Sequence, residues 1–126
     1  MAKKILIVDD SEITRTMIRD RLEAANYEVV EAEDGEQGLV MAEAEQPDLV
    51  LLDRIMPKLE GTEVCRRLKA DEKLEKIPIF FVSVKAEEKD IKAGLAAGAD
   101  GYITKPYEGQ ELVSTIEKVL GERKNS

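Results

Sequence analysis

The strongest constraint on this chain is an alternation. Five apolar stretches of strand length recur along it: KILIV (Lys4–Val8), YEVVEA (Tyr27–Ala32), DLVLL (Asp48–Leu52), IPIFFV (Ile77–Val82) and GYIT (Gly101–Thr104). Each is followed by apolar residues at near-helical spacing. Ile13, Met17 and Leu22 follow DDSE, Leu39 and Ala42 follow Asp34-Gly35, and Val64, Cys65 and Leu68 follow Gly61-Thr62. Ile91 and Leu95 follow EEKD, and Leu112, Ile116, Val119 and Leu120 follow Glu108. Strict alternation of this kind predicts a parallel sheet wound on both sides by helices.

The apolar content of each stretch predicts where it lies. The first, third and fourth are apolar almost throughout, as strands covered on both faces must be. The second alternates, Tyr27 and Val29 against Glu28, and the fifth is short, so both belong at edges. The expected architecture is a doubly wound five-stranded parallel α/β sheet in the order 2-1-3-4-5. In such sheets ligands bind beyond the carboxyl ends of the strands, at the switch point between the first and third. Those two strands end on acids: ILIV runs into Asp9 and Asp10, and LVLL runs into Asp53.

With 126 residues the chain is read as one domain, 1–126, with a core over about 4–120 and a frayed ERKNS end. A net charge of −8 argues against direct contact with nucleic acid or an anionic membrane. The single cysteine, Cys65, excludes an internal disulfide and suits a reducing cytoplasm, and no run has the length of a signal-peptide core or a membrane span. There is no histidine, so histidine triads and histidine-centred zinc sites are excluded.

Beyond the strand ends the chain offers Asp9 and Asp10, Asp53, Ser83, and Lys105 before Pro106. Singly, each has an ordinary role as a helix cap, a turn residue or a solvated charge. Together they do not, because two carboxylates about 4 Å apart repel by roughly 4 kcal/mol at an effective dielectric of 20. A divalent cation relieves that repulsion, and an oxygen-only ligand set selects Mg²⁺, or Mn²⁺ as a substitute, over zinc. Asp53, alone on the central strand and opposite the acidic pair, is best placed to attack phosphorus and become an aspartyl phosphate. Ser83 and Lys105 would then neutralise phosphoryl oxygens.

The blocks ILIVDDSE, DLVLLDRIMPKLEG, PIFFVSV and GADGYITKPY resemble the signature blocks of response-regulator receiver domains of bacterial two-component signalling. The resemblance runs from Lys4 to about Leu120 and implies the flavodoxin/CheY-like (βα)5 fold. It implies that Asp53 is the phosphoacceptor, supplied by a histidine kinase or histidine phosphotransfer protein, and that Asp9, Asp10, Asp53 and the Ile55 backbone carbonyl hold Mg²⁺. Ser83 matches the hydroxyl that engages the phosphoryl group, Lys105 the lysine that pairs with it, and Tyr102 an aromatic switch. Lys105-Pro106 matches a bond commonly cis in the family, and Met56, Pro57 and Gly61 shape the loop after the acceptor.

Three positions depart from the pattern. Val84 stands where alanine or glycine is usual and would narrow access to Asp53. Lys58 stands where many relatives carry glycine. Arg54 is expected to reach solvent.

The resulting expectation is a phosphoprotein of the cytoplasm that is modified once and slowly hydrolyses itself rather than turning over substrate. It has no output domain in this chain unless the chain is excised from a longer one, and it acts on a downstream protein as a monomer or weak phosphorylation-linked dimer. Two rivals are weaker. A haloacid-dehalogenase-type aspartyl phosphatase needs a second acid two residues after its nucleophile, where Asp9 is followed by Ser11 although Asp10 is followed by Glu12. An FMN-binding flavodoxin needs hydroxyls and glycine in its first loop, where DDSE offers negative charge.

Overall fold

Each apolar stretch becomes a parallel strand, and each periodic stretch a helix, in a computed structural model that describes residues 2–85 and 87–121. The order is β1 (Lys4–Val8), α1 (Glu12–Ala24), β2 (Glu28–Ala32), α2 (Gly35–Glu45), β3 (Leu49–Leu52) and α3 (Gly61–Ala70), then β4 (Ile79–Ser83), α4 (Glu88–Ala96), β5 (Gly101–Thr104) and α5 (Gly109–Leu120). The five strands lie in the order β2-β1-β3-β4-β5, all parallel. The ERKNS tail lies outside the described residues.

Successive strand side chains point to opposite faces, so the central strands feed two cores. On one face Leu6, Val8, Val50, Leu52, Ile79 and Phe81 meet Ala42, Val64, Cys65 and Leu68. On the other Ile5, Ile7, Leu49, Leu51, Phe80 and Val82 meet Ile18, Leu22, Leu112 and Ile116. Burying one such aliphatic side chain contributes about 1.5–3 kcal/mol, which is why the apolar runs dictate the centre of the sheet.

Local chemistry sets the boundaries. Ser11 caps α1, its Oγ accepting from the Thr14 N–H at 3.2 Å, and Asp34 caps α2, its Oδ1 accepting from the Gln37 N–H at 2.8 Å. The fourth strand starts at Ile79, after Pro78, which has no N–H for a ladder, and runs on through Ser83.

Two helical faces differ from the expectation. Ile13 and Met17 are 74% and 66% exposed, while Ile18 and Leu22 form the buried stripe of α1. Arg15 packs on the inner side in place of an apolar residue, because the Asp9 carbonyl and Glu31 accept its guanidinium at 2.7 and 3.0 Å. On α4 the inward residues are Asp90 and Gly94, and Leu95 is exposed. A Cβ on Gly94 would lie 3.0 Å from both the Phe81 and the Tyr102 rings, so this helix approaches the sheet too closely for leucine.

Candidate functional site at the carboxyl end of the sheet

The ladder continues one residue past the strand ends. Asp53 N–H donates to Val8 O at 3.0 Å, and Asp9 N–H donates to Ala32 O at 3.1 Å, so both acids leave the sheet side by side. Asp9, Asp10 and Asp53 each present a carboxylate oxygen within 4.8 Å of the others. Asp9 is buried, Asp53 half-buried and Asp10 exposed. Lys105 N–H donates to Ser83 O at 2.9 Å, and this anchor directs the lysine side chain back over the cluster. Its Nζ stands 3.3 Å from Asp9 Oδ2 and 3.9 Å from Asp53 Oδ2. The Lys105–Pro106 peptide bond is cis.

The electrostatics are unbalanced. Burial pushes the Asp53 carboxyl above its usual range; Lys105 pulls it down and the charge of Asp9 pushes it up again. The Lys105 ammonium pairs with two of the three clustered carboxylates, Asp9 and Asp53, and among the described residues Asp10 has no ion pair. The donors are all hard oxygens, and the only thiol is sealed in the core, with burial pushing Cys65 up to about 11. That donor set fits a hard divalent cation such as Mg²⁺.

Residues 5–117 match the response regulator receiver domain family. The chain belongs to that family. It is 46% identical over 120 residues to the phosphate regulon transcriptional regulatory protein PhoB of Pseudomonas aeruginosa, covering 95% of this chain and 52% of the relative. It is 43% identical over 120 residues to the alkaline phosphatase synthesis transcriptional regulatory protein PhoP of Bacillus subtilis, covering 95% and 49%. The chain thus spans about half the length of these curated relatives. Among solved structures it resembles the receiver domain of the sensor histidine kinase PA1611 of P. aeruginosa, with a TM-score of 0.89, 30% identity, and 96% of this chain and 99% of that one covered. That structure has a magnesium ion coordinated in its active-site cleft. This receiver domain is therefore a two-component phosphoacceptor with the CheY-like fold, and the phosphatase alternative is not favoured.

The remaining predicted residues of the receiver domain surround the cluster. Ile55 N–H lies 3.3 Å from Asp53 Oδ1. Ser83 is wholly buried at the end of β4, its Oγ accepting from the Lys85 N–H at 3.2 Å. Tyr102 is seated against the sheet: its ring centroid is 5.6 Å from that of Phe81, and its hydroxyl donates to Lys85 O at 2.5 Å. Gly61 opens α3 against the loop after Asp53, where an added Cβ would lie 2.2 Å from Asp53 O. Val84 is exposed. Lys58 has φ 72°, a left-handed conformation natural to glycine, and its Nζ lies 3.5 Å from Asp34 Oδ2.

Arg54 corrects the expectation of a solvated side chain. Its side chain is only 12% exposed, and its guanidinium reaches α4, donating to Asp90 O at 2.7 Å and lying 3.8 Å from Asp90 Oδ1. Asp90, buried on the first turn of α4, carries no distinguishing signal in the sequence. An acid following EEK at a helix start reads as an ordinary dipole-complementing charge, and only the fold brings Arg54 to it.

Proposed function

We propose that Asp53 accepts a phosphoryl group from a phosphohistidine on a histidine kinase or histidine phosphotransfer protein. A carboxylate oxygen of Asp53 forms a bond to phosphorus as the phosphorus–nitrogen bond to imidazole breaks, and the released imidazole keeps the electron pair and takes a proton. Asp9, Asp10, Asp53 and the Ile55 carbonyl would hold Mg²⁺, with Mn²⁺ as a substitute. The ion supplies positive charge against the phosphoryl oxygens. Lys105 and Ser83 bind two of those oxygens, the lysine by leaving Asp9 and the hydroxyl by turning from the Lys85 N–H. The observation that carries this reading is the convergence of Asp9, Asp10 and Asp53 within 4.8 Å, with Lys105 paired to Asp9 and Asp53.

The signal leaves through Ser83 and Tyr102. As Ser83 moves toward the phosphoryl group, Tyr102 settles further over Phe81. The face of α4, β5 and α5, including Lys89, Lys92, Asp100 and Tyr102, then changes for a downstream protein. The chain is modified once per cycle and does not turn over substrate. No helix among the described residues is long and apolar enough to cross a membrane, and we place this chemistry in the cytoplasm, where phosphorylated kinases meet it. The names of the relatives point to transcriptional regulation as one output for a longer chain carrying this domain.

Incubation with acetyl phosphate and Mg²⁺ should add one phosphoryl group by intact mass, and Asp53→Asn should abolish the addition. Equal labelling of the variant would overturn the assignment.

A further inference from the structure

Arg54 follows the acceptor directly, yet its guanidinium is turned away from the acidic cluster and into α4. Its two contacts fall on one residue, Asp90, through the carbonyl at 2.7 Å and through Oδ1 at 3.8 Å. Asp90 is 7% exposed, and its carboxylate has three partners: Arg54, the Lys85 ammonium at 3.8 Å, and the Glu87 N–H at 3.2 Å from Oδ2. It is thus both the first-turn acid of α4 and the point where the acceptor loop is tied to that helix.

Lys85 joins the same knot. Its N–H is bound by Ser83 Oγ, its carbonyl by the Tyr102 hydroxyl, and its ammonium faces Asp90. The two residues proposed above as the switch therefore meet, at Lys85, a connection that starts from Arg54. A cleft of about 210 Å³ lined by Arg54, Ile55, Met56, Glu60 and Lys85 separates the acceptor loop from the segment entering α4. A guanidinium is permanently charged and binds phosphate oxygens in its own fork geometry. The phosphoryl group adds up to two negative charges beside Arg54, and these compete with Asp90 for it.

We infer that Arg54 is a positioning residue that ties the phosphorylation state of Asp53 to α4 through Asp90. Without phosphate, Arg54 holds the Asp90 carbonyl, faces its carboxylate together with Lys85, and pins the first turn of α4 to the acceptor loop. With phosphate, Arg54 is drawn toward Asp53, Asp90 keeps only Lys85 and its cap to Glu87, and the start of α4 is freed. This is a second route from acceptor to α4, which starts from Arg54 rather than Ser83 and meets the first at Lys85. It rests on the reading of Asp53 as the acceptor.

The test compares the wild-type chain with Arg54→Gln and Asp90→Asn by amide NMR, before and after beryllofluoride. Asn at position 90 keeps an acceptor for the Glu87 N–H, so α4 retains its cap while the charge pair is lost. Arg54→Gln should show, before addition, α4 amides already displaced toward the beryllofluoride-bound positions and faster hydrogen exchange in the first turn. Asp90→Asn, which keeps the carbonyl contact to Arg54 at 2.7 Å, should show a smaller displacement in the same direction. On addition Arg54→Gln should lose the larger part of the α4 response and Asp90→Asn a smaller part, while the Ser83 and Tyr102 signals still move. Full α4 responses in the folded variants would overturn the inference. Asp53 occupancy is read separately by intact mass after acetyl phosphate: unlabelled wild-type protein would refute the acceptor assignment, whereas normal labelling with an unchanged α4 response would refute only the Arg54 connection.

Discussion

The Lys105 ammonium lies 3.3 Å from a carboxylate oxygen of Asp9, a residue ninety-six positions earlier in the chain. It is nearer to Asp9 than to Asp53, which it approaches at 3.9 Å. In this arrangement Lys105 compensates the more deeply buried acid, and under the proposed function it must yield part of that contact to bind a phosphoryl group on Asp53. Resting stability and phosphoryl binding thus draw on the same cation.

Replacing that cation should be felt before any phosphate is present. Lys105→Met leaves Asp9 and Asp53 facing one another, and losing the charged partner of a buried carboxylate costs more than the roughly 1–3 kcal/mol of a neutral group, up to about 3–5 kcal/mol. Mg²⁺ should restore more stability to the variant than to wild type, for which binding at a hundredfold excess over Kd adds about 2.7 kcal/mol. Asp53→Asn should act oppositely and raise metal-free stability by removing one repelling charge. Urea unfolding with and without millimolar Mg²⁺ measures all three; identical curves for Lys105→Met and wild type would show that the crowding is relieved elsewhere.

Gly61 is held against the Asp53 loop by its own backbone, whose N–H donates to Arg54 O at 3.1 Å. Gly61→Ala would drive a methyl group to 2.2 Å from Asp53 O, so α3 or the acceptor loop must move. Overpacking of this kind costs about 1–3 kcal/mol, and here it also displaces Asp53, the proposed nucleophile. The expected result is lower thermal stability together with slower labelling by acetyl phosphate. A variant that loses stability but labels at the normal rate would show that the acceptor position does not depend on this contact.

Cys65 predicts a pH dependence. Burial pushes its thiol from 9.0 to about 11, so the folded chain holds the proton more tightly than the unfolded one. A folded-state pKa above the unfolded value contributes stability that is complete below about pH 9 and is lost as pH rises toward 11, on the order of 2–3 kcal/mol in all. Cys65→Ala should be slightly less stable at neutral pH, from the small cavity, yet lose less between pH 9 and 11. Unfolding free energies of the two proteins across that range should converge or cross, and native Cys65 should resist alkylation at pH 8.

The lifetime of the phosphoryl group depends on what can orient an attacking water. Ile55, the second residue after Asp53, is half-exposed but has no polar group, and Lys85, the second after Ser83, only donates hydrogen bonds and leans toward Asp90. Self-dephosphorylation should therefore be slow, and Ile55→Asn with Lys85→Glu should accelerate it. Loss of label followed by intact mass checks this; hydrolysis by wild type as fast as by the double variant would refute it.

Much of this molecule could be read from residue order. Apolar runs such as LVLL and IFFV fit only a strand covered on both sides, and alternation with helices leaves few ways to wind a sheet. The acids at the ends of β1 and β3 followed, because the topology brings those two ends together whatever the loops do. Side chains directed by neighbours distant in sequence were less legible. Ile13 and Met17 have the spacing of a buried stripe, but the stripe lies one step round α1, where Arg15 finds the Asp9 carbonyl and Glu31. Leu95 has the composition of a core residue, but the Phe81 and Tyr102 rings leave room there only for Gly94.

The sequence by itself determined the strand order, the two-faced core and the gathering of Asp9, Asp10, Asp53, Ser83 and Lys105 at one end of the sheet. These follow from hydrophobic periodicity and chain connectivity, which are local and additive. Tertiary structure alone decided that Lys105 rests on Asp9, that Tyr102 binds the Lys85 carbonyl, and that Arg54 turns from solvent to Asp90. A charged or aromatic side chain has several orientations of similar energy, and the choice falls to whichever buried oxygen or ring the packed fold leaves within its reach.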